Sequence, residues 1–234
     1  MAGRFVGGVL VSAGLVVVTL AGAASGYGIG HLTEPRDQPT GSAAPLRPSE
    51  DVTPTPTEPL NVAVKDPTPA LDKDELKYKE REFVAEKTVR SRVTVHVPKN
   101  WHMTLSADPQ NEARFTDPTG RRFVRVQAGF TIERPPAASM AERIGQLDGT
   151  PYRQDLQIVS RRVAEDKRSA TLTYTYVPDP ENILRYVVVR WVALDDSGNC
   201  AVEIAVSGLS QDKEAIPAVL ERATDNVTRS DSSL

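Results

Sequence analysis

The sequence predicts an α+β domain, an antiparallel β-sheet packed with helices, preceded by one transmembrane helix and a disordered proline-rich linker. Three observations carry this expectation. The run Phe5–Ala24 contains no charged residue. Nine of the chain's 18 prolines crowd between Thr33 and Asp72. Beyond them, short runs rich in Val, Tyr, Thr and Trp alternate with turn residues and end in a stripe of helical period. Strand runs followed by a packing helix argue for an antiparallel sheet with helices on it.

The apolar run comes first. At about 1.5 Å rise per residue, a helix of this length spans roughly 30 Å, the hydrocarbon thickness of a bilayer. Only Arg4 and the amino terminus are positive before it, and no Lys or Arg follows until Arg36. The positive-inside rule then keeps the N-terminus in the cytoplasm and exports the rest. Two readings stay open: a retained anchor over residues 1–32, which the length favours, and a secretory signal cleaved after Ala23 or Ser25. A bacterial lipoprotein needs a cysteine just after this run; the one cysteine is Cys200, so lipid anchoring by that route and any internal disulfide are excluded. Gly3 with Gly7 and Gly22 with Gly26 have the spacing of close helix pairs, which short Gly/Ala-rich runs often show by chance. Gly26-Tyr27-Gly28-Ile29-Gly30 follows no strand, so it is no nucleotide loop.

Residues 33–82 read as a spacer. The segment Thr53-Pro54-Thr55-Pro56-Thr57-Glu58-Pro59 has almost nothing to bury and cannot offset the entropy of ordering. Leu71–Lys79 is charge-dense, either a short helix or more linker. The domain is expected over residues 83–229. Its first strand is Arg90–Val97, with Val93, Val95 and Val97 on one face. Pro98-Lys99-Asn100 breaks it before Trp101, a core anchor. Glu112–Phe130 reads as a hairpin around Asp117-Pro118-Thr119-Gly120, whose Asp, Pro and Gly suit a type I turn. Ser139-Met140-Ala141-Glu142 has the form of a capping box opening a short helix that ends near Gly149. Four strands follow: Leu156–Arg162, Ser169–Val177, Arg185–Leu194 and Cys200–Ser207. Within the second, Leu172, Tyr174 and Tyr176 share one face and Thr171, Thr173 and Thr175 the other. A helix over Lys213–Val227 carries Ile216, Val219, Leu220, Ala223 and Val227 on one stripe; Pro217 moves its start toward Ile216. The polar tail, residues 230–234, is expected to fray.

The order of these pieces resembles a known group. Val95-His96-Val97-Pro98-Lys99-Asn100-Trp101 is similar to its strand leading into Pro-x-x-Trp. Phe115-Thr116-Asp117-Pro118-Thr119-Gly120 is similar to its Phe-x-Asp-Pro-x-Gly hairpin. Tyr174-Thr175-Tyr176, Arg185–Trp191 and the last helix resemble its closing meander. The group is the PsbP-like fold, shared with Ran-binding Mog-type proteins and with exported lipoproteins and kinase sensor tails of actinobacteria. The resemblance implies an antiparallel sheet sandwiched by helices and a non-catalytic accessory or binding role. The chain departs from those lipoproteins in lacking the lipidated cysteine, and from the kinases in lacking a kinase domain. Its 20 Arg against 8 Lys suit a GC-rich genome.

No catalytic, cofactor-binding or metal-binding residue is assigned, and no cofactor is expected. His31, His96 and His102 do not cluster as metal ligands would. Cys200 sits on an apolar strand face as an inert thiol. Asp195 and Asp196 occupy a turn that favours Asp for backbone reasons. Arg114, Arg121, Arg122 and Arg125, with Arg161 and Arg162, form a solvated face or a docking patch for an acidic partner. Asn226-Val227-Thr228 fits a glycosylation acceptor without consequence in a bacterium. A net charge of −3 gives no reason to expect nucleic acid. The expected function is therefore an extracytoplasmic binding or accessory module. It would be anchored in the cell membrane, or secreted if the leader is cleaved, with a protein or envelope component as partner. The alternatives are an exported envelope hydrolase and a structural subunit of an envelope complex.

Overall fold

The computed structural model describes residues 58–131 and 133–234. The Phe5–Ala24 run, the glycine pairs and Gly26–Gly30 near it, His31 and the linker up to Thr57 lie outside them. Among the described residues no helix is long and apolar enough to cross a membrane.

Among the described residues, ten strands and two α-helices follow in chain order: β1 (Tyr78–Glu86), β2 (Arg90–Pro98), β3 (His102–Leu105), β4 (Glu112–Thr116), β5 (Phe123–Gln127), α1 (Pro136–Leu147), β6 (Gln157–Val163), β7 (Ser169–Tyr176), β8 (Arg185–Val192), β9 (Val202–Leu209), α2 (Ala215–Asp225) and β10 (Thr228–Ser232). Seven strands form an antiparallel sheet in the order β3-β4-β5-β9-β8-β7-β6, and β1-β2-β10 form a second, smaller sheet. The architecture is α+β, as the strand runs and closing helix predict.

The core has two parts, one on each face of the large sheet. Helix α2 and the small sheet cover one face. There Ile216, Val219, Leu220 and Ala223 of α2 meet Val188, Ile204 and Val206 of the large sheet and Val93 and Val95 of β2. Helix α1 covers β7 and β8 on the other face, where Met140 packs with Leu172, Val189, Trp191 and Cys200. Every residue of β9 is buried, because both faces of this central strand are covered. Gly208 in β9 has no room for a side chain: a Cβ there would lie 2.6 Å from Ile216 Cδ1. Gly129 has φ +75° and passes so close to β1 that a Cβ would lie 3.0 Å from the Ala85 carbonyl carbon.

Three expectations need correction. The linker was expected through residue 82, yet β1 begins at Tyr78 and pairs along its whole length with β2. Lys79 and Arg81 stand on the same face as the buried Phe83 and Ala85, and Val84 on the other with Glu82, which lies 2.9 Å from Arg92, so apolar alternation does not announce it. Residues before it also pack on the domain. Val64 bridges to Ile183, and the Leu71 amide donates to Asp212 Oδ1 at 2.9 Å. The tail does not fray: β10 pairs with β2 from Thr228 to Ser232. Its Arg229 guanidinium donates to the carbonyls of Phe130 and Ala201, a tertiary anchor in a segment with no apolar residue. Finally, α1 starts at Pro136 with Pro135 as N-cap, and no side chain caps it. Ser139 lies inside the helix, where its hydroxyl accepts from Arg134 Nε at 3.2 Å. Proline in the first turn starts this helix in place of the capping box.

Candidate functional site

Because α1 covers only part of its face of the large sheet, a groove opens between the helix and the β4–β5 hairpin. Cross-strand register builds its floor. Glu112 stands opposite Gln127, Gln127 opposite Glu203, and Glu203 opposite Trp191. These residues therefore form one row across β4, β5, β9 and β8, on a single face of the sheet. The cavity at this row measures about 410 Å³, with Arg143, Glu142 and Gln146 of α1 on one side and Lys87, Asn111 and Gln127 on the other.

Glu203 is the centre of the groove. It is a carboxylate in a strand that is otherwise apolar or neutral, and only 8% exposed. Trp191 Nε1 donates to its Oε2 at 2.8 Å, and Arg143 Nη2 donates to its Oε1 at 3.0 Å. Arg125 Nη2 donates to the same Oε1. Gln127 Nε2 in turn donates to Glu112 Oε2 at 2.9 Å, and Arg125 Nε lies 3.8 Å from Glu112. Burying a carboxylate costs several kcal/mol unless donors satisfy it, and here three do. Both guanidiniums are thereby held against Glu203, and Arg143 lines the cavity. Tyr174 lies beside them, and burial raises its phenol above the usual range. Farther out, Arg114 stacks over the Phe123 ring at 3.7 Å.

This arrangement suits recognition. A general base needs an oxygen with a lone pair aimed at substrate, whereas both Glu203 oxygens already accept from the protein. The nearest thiol, Cys200, is buried, and burial pushes it up to about 11, so it is protonated at neutral pH and a poor nucleophile. Guanidinium and amide edges remain to bind an acidic or amide-bearing group.

The six arginines singled out in the sequence part company. Arg125 touches the groove through Glu203, and Arg114 stacks on Phe123 farther along the same face. Arg122 is a correction: expected on a solvated face, it is 3% exposed. Its Nε donates to Asp212 Oδ2 at 2.6 Å and its Nη1 lies 3.3 Å from Asp117 Oδ2. Its Nη2 donates to the Pro69 carbonyl, so this knot ties residues 66–71 to the hairpin turn and to the start of α2. Arg121 extends it, with Nε at 3.1 Å from the buried Asp66. Arg161 and Arg162 are neighbours on β6 and face opposite ways, opposite Leu172 and Thr171 respectively.

His96 and His102 sit on different sheets, His96 opposite Glu80 in the small one and His102 opposite Thr116 in the large one. Among the described residues no three His, Cys, Asp or Glu side chains gather as metal ligands would. Asp195 accepts hydrogen bonds from the Ser197 hydroxyl and amide, which hold its carboxyl below the usual range, as a turn residue would be held. The sequence reading missed Glu203, Arg143 and Asp212. A signal for Glu203 exists: it is the one charge in the apolar run Ala201-Val202-Glu203-Ile204-Ala205-Val206, and a charge there demands partners.

No protein-family model matches the chain, and no curated protein matches it. Solved structures similar to it include the Ran-binding protein Mog1p of Saccharomyces cerevisiae, at 14% identity and TM-score 0.46, covering 66% of this chain and 96% of that one. A variant of Mog1 is similar at 14% identity and TM-score 0.40, covering 63% of this chain and 95% of that one. LpqN of Mycobacterium tuberculosis, involved in cell envelope biogenesis, is similar at 13% identity and TM-score 0.40, covering 68% of this chain and 94% of that one.

Proposed function

We propose that this chain is a membrane-anchored extracytoplasmic binding module with a PsbP-like domain, acting without catalysis on a protein or envelope component. The observation that carries the reading is Glu203, whose two oxygens are consumed in orienting Arg125, Arg143 and Trp191. A site that uses its buried acid to hold cations in place is organised to grip a partner. The uncharged Phe5–Ala24 run supports the anchor, since a stretch of that length and polarity prefers lipid to water.

In-cell crosslinking from the full chain tests this reading. Arg143 is part-exposed, and Arg143→Glu reverses the charge it brings to the groove; a melting curve alongside the wild type checks that the variant is folded. The wild type is expected to crosslink a defined envelope component from the outer side of the membrane, and Arg143→Glu to lose most of it. Equal crosslinking by both forms, or by a chain truncated to residues 1–57, would sink the proposal.

A further inference from the structure

The opposite face of the large sheet carries a second groove that the binding reading above does not use. Helix α2 covers β9 and β8 but stops short of β7 and β6. The uncovered strip forms a cavity of about 430 Å³ beside α2, within the range of small-ligand sites. Its floor includes Ser160, Arg162, Thr171 and Thr173, and its helix wall Pro217, Ala218 and Glu221.

The register of β6 against β7 makes the floor a regular array. Ser160 stands opposite Thr173 and Arg162 opposite Thr171, after an irregularity between Ile158 and Ser160 that sets both β6 side chains on this face. Cross-strand partners lie about 5 Å apart at Cβ, and neighbours two residues along a strand roughly 7 Å. Three hydroxyls and one guanidinium therefore mark the corners of a small rectangle. Thr173 is only 6% exposed, a hydroxyl sunk into the floor. The chain spends two of its threonine face residues on a surface where a strand core would otherwise place valines.

Charge decides the ligand. Glu221 is the one carboxylate among the lining residues, and it pairs with Arg190, which also donates through Nε to Thr171 Oγ1 at 3.0 Å. Among the described residues Arg162 is left with its charge uncompensated. A guanidinium engages two oxygens of an oxyanion. A planar carboxylate has only those two, whereas a tetrahedral phosphate has further oxygens that the Ser160 and Thr171 hydroxyls can reach. We propose that this groove binds the phosphate group of a small phosphate ester, with Arg162 as the charge partner and Ser160, Thr171 and Thr173 as the hydroxyl contacts.

Alternation supplies the control. Arg161 is adjacent in sequence, equally charged and exposed, and points to the other face. Titration of the full chain in neutral detergent, followed by calorimetry, compares two soluble probes. Glycerol 3-phosphate represents a free phosphate ester and glycerophosphoglycerol a deacylated lipid headgroup. The wild type should bind at least one of them saturably. Arg162→Met should weaken that binding about tenfold or more, Thr173→Val should weaken it to a smaller degree, and Arg161→Met should leave it unchanged. Preference for the monoester identifies a free phosphate as the ligand, and preference for the diester a lipid headgroup. Binding of neither probe by the wild type overturns the proposal. So does an equal loss in Arg161→Met and Arg162→Met, which would mean diffuse surface charge. Loss of crosslinking in the Arg143→Glu experiment leaves this outcome untouched, because the two grooves lie on opposite faces.

Discussion

At the scale of single residues, the strongest constraints are buried charges whose partners come from far along the chain. Arg122 and Asp212 are 90 positions apart and both sealed from water. Asp212 also accepts from the amides of Leu71 and Leu209, so its two oxygens serve three parts of the chain. Asp212→Ala would strand the guanidinium, and breaking one side of such a pair costs about 3–5 kcal/mol. Urea unfolding should report a loss of that size. Asp117 adds a pH dependence. Burial alone would raise its carboxyl, but the Thr119 hydroxyl, the Arg122 and Arg121 amides and the Arg122 guanidinium hold it below the usual range. The native state thus binds fewer protons than the unfolded chain as the carboxyl titrates. The stabilisation is complete above the unfolded carboxylate value, about 4, and is lost as pH falls through the lower folded value. Melting curves from neutral to acid pH should be flat and then fall steeply below about pH 4. Asp117→Asn should start lower and fall less.

At the scale of elements, packing sets which segments are strands. Strands β1 and β10 flank β2 on either side, and neither has the apolar alternation of their neighbour. They exist because β2 offers hydrogen-bonding edges and because outside anchors hold them, Arg229 in one case and the backbone approach at Gly129 in the other. At Gly208, β9 meets α2 with no room for a side chain. A methyl group at Gly208 would press on Ile216 Cδ1 and meet Asp212 Oδ2 at 3.0 Å. Gly208→Ala is therefore expected to cost about 1–3 kcal/mol by overpacking, despite the usual preference of strands for alanine over glycine. A co-substitution Ile216→Val should recover part of that loss in the same unfolding assay.

At the scale of the whole molecule, the proposed arrangement is a tether that ends in the fold. The last stretch before β1 is held by Asp66, Pro69 and Leu71 through the Arg121 and Arg122 knot. Tension on the chain from the N-terminal side would meet the Asn61 and Val64 contacts first and this knot next, before it reached β1. The location itself rests on the N-terminal run. Placing a charge at its centre costs about 2.5–3.5 kcal/mol for insertion. Leu15→Arg should shift part of the chain from the membrane pellet to the soluble fraction on carbonate extraction, while wild type stays in the pellet. Full release of the wild type would contradict the anchor.

Cys200, expected on an apolar strand face, instead precedes β9 and packs with Met140 and Trp191, on the side of the sheet away from Val202, Ile204 and Val206. The sequence alone determined what local physics can decide: the runs of β2, β4 to β9 and α2, the Asp117–Gly120 turn and the burial of Trp101. Each follows from periodicity or turn chemistry within a dozen residues. It also placed Thr171, Thr173 and Thr175 on one face, because side chains alternate along any strand. Only the tertiary structure decided which charges are buried. Nothing near Arg122 in the sequence distinguishes it from Arg121 or Arg125, since its partner Asp212 arrives from another part of the fold. The same holds for Glu203, whose donors come from β5, α1 and β8. Both grooves exist because each helix covers only some strands of its face, a consequence of how elements are stacked that no single segment encodes.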